Sequence, residues 1–126
     1  MARYRLSQPA QSDIESILEW SHANFGEAAR RRYQALIAAA VRDVSADPKR
    51  AGCQARPELG DGIYSWHLRM SRDRSKAEPV QQPRHFLIYR IDDELVVIGR
   101  VLHDAMDLAR HLHPDTTWEY QTRDRS

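Results

Sequence analysis

A single cysteine, Cys53, stands in a chain of 126 residues, which excludes an internal disulfide and a cysteine-built zinc cage and suits a reducing compartment. No run of about 18 apolar residues occurs, so no membrane-spanning helix is expected. The opening MARYRLSQPAQ lacks the apolar centre of a secretion signal. The expectation is a soluble cytoplasmic protein with no membrane role. Repeats and low-complexity tracts are absent, and no glycine-rich loop leads into a helix, since Gly60-Asp61-Gly62 is only a turn. Aromatic residues do not interleave with arginines as a base-stacking platform requires, and the net charge is only +1, so no direct nucleic-acid binding is expected.

What is present is enough for one modest domain. Hydrophobic residues make up 41% of the chain and charged residues 29%, with a mean hydropathy of -0.71, which describes a lean core under a well-solvated surface. The charge is unevenly spread. Residues 48–90 carry nine basic against four acidic side chains, and residues 91–126 carry four against eight. That asymmetry fits either a basic surface facing an anionic partner or a solvated, arginine-rich loop.

Periodicity supplies the elements. Tyr4-Arg5-Leu6 is a strand candidate, and Ser7 and Pro9 mark a helix start. Ala10, Ile14, Ile17, Leu18 and Phe25 recur at helical spacing up to Gly26, a natural stop. Trp20 projects from the flank of that stripe, as a core edge or as an anchor for a partner. A second helix spans about Glu27 to Ala46, with Tyr33, Leu36, Ile37, Ala40, Val41 and Val44 on one face. With only Gly26 between them, the helices fold back as an antiparallel hairpin facing a third layer, which should be a sheet. Three strand candidates follow. Tyr64, Trp66, Leu68 and Met70 alternate with polar residues; HFLIYRI and ELVVIGRVL flank a tight turn at Asp92-Asp93. Residues 71–84 read as a long exposed loop, and residues 114–126 as a polar tail, mobile unless Trp118 and Tyr120 dock. The fold class is α+β: an N-terminal strand, a helical hairpin on one face of a small antiparallel sheet, and a short C-terminal helix or turn. The domain spans residues 1–113.

The chemistry concentrates in RVLHDAMDLARHL, Arg100 to Leu112. His111 and His113 are two apart, which puts them on opposite sides of a strand and about 200° apart on a helix, so neither a metal nor a cofactor is expected. Cys53 has no base placed beside it. Arg90 shares a face with Phe86 and Ile88 and therefore needs a partner or a function. Metal-free RNA cleavage needs a base, an acid and cations, which His103, Arg100 and Arg90 could supply if they converge. The other reading is an Arg100–Asp107 ion pair with His103 hydrogen-bonded at the strand end.

YRLSQPAQSDIESILEW, the long second helix, RPELGDGIYSW, PRHFLIYRIDDE and VIGRVLHDAMDLARHL together resemble the RelE/ParE toxin superfamily, in its ParE branch, over residues 3–112. The resemblance implies a toxin of a toxin–antitoxin module that poisons DNA gyrase by binding, without a catalytic residue of its own, and is neutralised by a cognate ParD-like antitoxin. The superfamily's other branch cuts messenger RNA in the ribosome, and a third possibility is an inactive relative that only binds antitoxin. A net charge of +1 fits the gyrase branch better than a ribosomal site. On that reading Arg90, Arg100, His103, Asp107 and Arg110 are the residues for toxicity and target binding, and Trp20 and Trp66 are those for the antitoxin.

Overall fold

Ser7 starts the first helix and closes a sheet edge at once. Its hydroxyl accepts from the Ala10 N–H at 3.1 Å, capping the helix, and donates to the Gly99 carbonyl at 2.8 Å. Those bonds belong to a computed structural model, which describes residues 3–106, 108–112 and 117–120. Its elements are β1 (Tyr4–Leu6), α1 (Gln8–Phe25), α2 (Glu27–Ala46), β2 (Gln54–Ala55), β3 (Ile63–His67), β4 (His85–Asp92) and β5 (Leu95–His103), with 3₁₀ turns at Pro57–Leu59, Leu68–Arg74 and Leu108–His111.

The strands form one sheet in the order β1-β5-β4-β3-β2. β1 runs parallel to β5 and every other pairing is antiparallel. Both long helices cover one face. Leu36, Ala40 and Val44, four apart on α2, are fully buried against Leu87, Tyr89, Val96 and Ile98. Each buried leucine, isoleucine or valine among them contributes about 1.5–3 kcal/mol through its removal from water. On the outer face Ile63, Ile88 and Leu102 form a smaller cluster with Leu59, Phe86, Leu108, Leu112 and Trp118. This is the α+β layout that the periodicity predicts, with the helical hairpin on one face as expected.

Four details depart from the sequence reading. The strand expected to run through Met70 ends at His67, because Leu68–Arg74 turns back onto α2. Ser71 accepts from Trp66 Nε1 at 2.9 Å and donates to Asp43 at 2.6 Å, and Arg74 donates to the same carboxylate at 2.9 Å. Those bonds hold the turn where alternation alone would continue a strand. The hairpin turn falls at Asp93-Glu94, one residue later than expected, with Asp93 at φ 59, a conformation Asp tolerates. β2, only two residues long, has too little pattern to be seen in sequence. Finally, Trp118 of the supposed tail docks: its ring lies so close over Gly99 that a Cβ there would overlap the indole and the Thr117 methyl.

Gly99 is itself a register device. Tyr89 pairs with Ile98 and Ile88 with Arg100, so Gly99 is the extra residue of a β-bulge. Beyond it Val101 faces the helices and Leu102 the outer cluster.

Candidate functional site

β1 stops at Leu6, so the next part of the β5 edge needs other partners, and α1 provides them. Asp13 accepts the Val101 N–H at 2.9 Å and the Arg100 guanidinium at 2.7 and 2.9 Å. Arg100 also donates to the His111 carbonyl, which ties in the last 3₁₀ turn. The two side chains are 17% and 15% exposed, so water competes weakly for this bidentate pair. Arg100 is therefore a brace between helix, strand and C-terminal turn. Its carboxylate is Asp13, where the sequence suggested Asp107; Asp107 lies outside the described residues.

Six polar side chains gather at the same end of the sheet. His85 and His103 are cross-strand partners on the helix face, with rings edge to face at 5.3 Å. The Tyr33 hydroxyl of α2 accepts the Arg84 N–H at 3.1 Å and shares a hydrogen bond of 2.6 Å with His85 Nδ1. His67 Nδ1 accepts the Arg69 N–H, and His103 Nδ1 accepts the Ala105 N–H, both at 3.1 Å. The imidazoles of His67 and His103 thus carry their proton on Nε2, and that of His67 donates to Asp104 at 3.0 Å. Arg84 holds the other oxygen of Asp104 at 3.0 and 3.1 Å.

The electrostatics follow from that packing. Burial, then the nearby His103, pushes the His85 pKa down to about 4, so this imidazole is neutral at physiological pH. Burial raises Tyr33 to about 12, which keeps its hydroxyl a donor. Burial works against ionisation of Asp104, but the hydrogen bonds from His67 and Arg84 outweigh it and hold the carboxyl below its usual range. With Nδ1 of His67 and of His103 occupied by backbone N–H groups, neither of these two imidazoles offers a free lone pair to a substrate proton. The cluster ties α2 to the sheet end.

Arg90 sits apart from all of this. It lies on the outer face with its guanidinium 5.2 Å from the Trp118 ring centroid, and its buried Nε has no hydrogen-bond partner. It borders a cleft of about 350 Å³ between Leu59, Ile63, Leu112 and Trp118. His103 faces His85, five residues from Arg90 along β4, which at about 3.3 Å per residue is roughly 16 Å on the opposite face. The trio His103, Arg100 and Arg90 does not converge. Arg110, on the last turn, is exposed.

The two tryptophans named for the antitoxin part company. Trp66 is 1% exposed and bonded to Ser71, out of a partner's reach. Trp20 is 60% exposed and packs edge to face on Phe25, itself 68% exposed, with ring centroids 5.5 Å apart. Two large aromatic rings left in water on one helix form a ready anchor.

The family model described as the ParE toxin of the type II toxin-antitoxin system, parDE, matches residues 4–108. The chain belongs to the ParE toxin family. A solved structure described as the chromosomal ParDE TA system from P. aeruginosa superposes with a TM-score of 0.60 at 13% identity, covering 82% of this chain and 96% of that one. That likeness concerns the ParE fold alone. No curated protein matches significantly. The ParE match ends at the start of the last 3₁₀ turn, so most of the C-terminal segment on the outer face lies beyond it.

Sequence reasoning missed Asp13, Tyr33, Arg84, His85, Asp104 and the exposed Phe25. A signal existed for His85 alone: counting back from the hairpin turn, with Gly99 allowed as a bulge, sets it opposite His103.

Proposed function

We propose that this ParE-family chain is a gyrase-directed toxin, working in the cytoplasm and held inactive by a cognate ParD-like antitoxin that docks over Trp20 and Phe25. Family membership supports the toxin–antitoxin setting. The observation that carries the mode of action is the dispersal of the candidate chemistry: Arg100 is locked to Asp13, Arg90 stacks on Trp118, and the Nδ1 lone pairs of His67 and His103 are taken by backbone N–H groups. A toxin that acts by binding needs no such convergence, because gyrase makes the strand breaks and a ligand favouring the cleaved state raises its population. On this reading the exposed Arg110, the half-buried His103 and Asp107 contact the target, Arg90 contributes from the outer face, and Arg100 acts by holding the strand end.

Purified chain added to gyrase, ATP and plasmid is expected to give protein-linked linear DNA. Codon-spaced fragments from ribosomes programmed with messenger RNA would establish the ribonuclease reading instead, and silence in both assays an inactive relative. For the antitoxin, Trp20→Ala and Phe25→Ala are each expected to weaken binding by about 30-fold or more, the loss typical of a central aromatic anchor. Isothermal titration with the neighbouring antitoxin measures it. Unchanged affinity in both variants removes the patch from the interface.

A further inference from the structure

Arg90 carries a full positive charge into an apolar neighbourhood. It pairs across the sheet with Ile63 of β3 and lines the cleft of about 350 Å³ together with Ile63, Leu59, Leu112 and Trp118. A guanidinium stays protonated at physiological pH, so the charge cannot be shed. Trp118 meets it through the face of the indole, which is no hydrogen-bond acceptor in the plane of the guanidinium, and its buried Nε has no partner. Other half-buried arginines fare differently. Arg30, Arg50, Arg56 and Arg100 each meet a carboxylate at 2.7–3.6 Å, whereas Arg90 forms no ion pair among the described residues. Glu58 lines the same cleft, but it pairs with Arg56 at 3.4 Å and is more than half exposed.

The chain itself shows what the Nε edge of a guanidinium takes. Arg100 gives Nε and one Nη to the two oxygens of Asp13 at 2.7 and 2.9 Å, and Arg30 gives the same two donors to Glu27 at 2.9 and 2.7 Å. Both are side-on pairs with a single carboxylate. At Arg90 the Nε half of such a pair lacks its acceptor. We propose that the Arg90 cleft is a binding site for a monocarboxylate on an aliphatic body. Its oxygens pair with the Nε edge of Arg90, and the body lies along Leu59, Ile63 and Leu112. The guanidinium turns against the indole face to receive it, since its Nε is otherwise buried. Phosphate suits the cleft less, because a strongly hydrated anion meets one guanidinium among aliphatic walls, with the Glu58 charge at the rim. A free carboxylic acid and a glutamate beside a leucine on a protein segment present the same chemistry, and a cleft of this size admits either.

The probe is sodium octanoate, titrated into the isotope-labelled full chain and followed by NMR. The Arg90 Nε–H and Trp118 indole signals should move together and saturate, with half the effect at roughly 1 mM for so small a ligand. The Trp20 and Trp66 indoles, which do not line the cleft, should stay in place. Octanol has the tail without the charge, and inorganic phosphate the charge without the tail; each should bind about 10-fold more weakly or worse. Arg90→Met keeps an apolar stem and should weaken octanoate by a similar factor. Ala109→Leu, at an exposed position on the rim, should weaken it with the arginine intact. No saturable shift at about 20 times the expected half-point overturns the site. Equal binding of octanol or of phosphate overturns the proposed ligand. A capped tripeptide with glutamate between two leucines separates the sources: tighter binding than octanoate assigns the cleft to a protein segment, weaker binding to a free acid. No readout involves gyrase, so the site is decided whatever the toxin's target.

Discussion

Asp13→Ala and Arg100→Ala are each expected to lower the unfolding free energy by about 3–5 kcal/mol, the usual cost of leaving one half of a buried ion pair alone. Either change strands a charge that is less than a fifth exposed. Loss of Asp13 also leaves the Val101 N–H on an uncovered edge, and loss of Arg100 frees the last 3₁₀ turn. A domain of this size has about 5–15 kcal/mol in total, so either variant sits near its unfolding limit. Urea titration followed by circular dichroism measures the effect. The double alanine variant should lose less than the sum of the two by about 1–3 kcal/mol. A charge-swapped pair should recover little, since arginine at position 13 cannot accept the Val101 N–H. An Arg100→Ala protein with an unshifted midpoint would remove the brace, and any loss of toxicity in it would then report a direct contact with the target.

Acid is expected to destabilise the fold in a specific window, between about pH 6.5 and pH 4. His85 has its folded pKa lowered to about 4 from an ordinary 6.5. Between those values the unfolded chain binds a proton that the folded chain refuses, so stability falls as pH falls and levels off for this group below the lower value. A shift of this size corresponds to about 3 kcal/mol at 1.36 kcal/mol per unit. The surroundings explain the refusal: burial comes first, then the His103 ring packed against it, with a smaller push from His67, while Asp104 and Asp13 only partly compensate. Most carboxylates titrate lower, so the fall from pH 6.5 to pH 5 isolates the imidazole. Replacing His85 by Phe should flatten the curve there, and a profile as steep as that of the parent would place the acid sensitivity elsewhere.

How far the sequence foretells all this depends on the range of the interaction. The helices were legible because 3.6-residue periodicity and the markers Ser7, Pro9 and Gly26 are local. So was the β4–β5 hairpin, apart from one residue in its turn. Tertiary bonds were not. Leu68 and Met70 carry the alternation of a strand, yet Ser71 and Asp43, 28 residues apart, turn that segment into a 3₁₀ helix. Asp107 was the near carboxylate for Arg100, seven positions on; Asp13, which meets its guanidinium, is 87 positions back. Exposure of Trp20 against burial of Trp66 depends likewise on how the layers stack, which a lone aromatic in a pattern does not reveal.

The parallel pairing of β1 with β5 sets the order in which a growing chain can become whole. Ser7 meets Gly99, Asp13 meets Val101, and Tyr4 to Leu6 lie beside Val96 to Ile98. Residues 4–13 therefore wait for residues 96–101. Until some hundred residues have emerged, α1 and α2 can form a hairpin but have no complete sheet to rest on, and the Asp13 carboxylate has no guanidinium. Contacts so distant in sequence form slowly, since closing the long loop between them costs entropy before any bond is gained. A message cut or a synthesis stalled before the codon for Arg100 thus yields a fragment without its closing strand. Such a fragment leaves the apolar helix faces in water and is expected to be handled as unfolded protein.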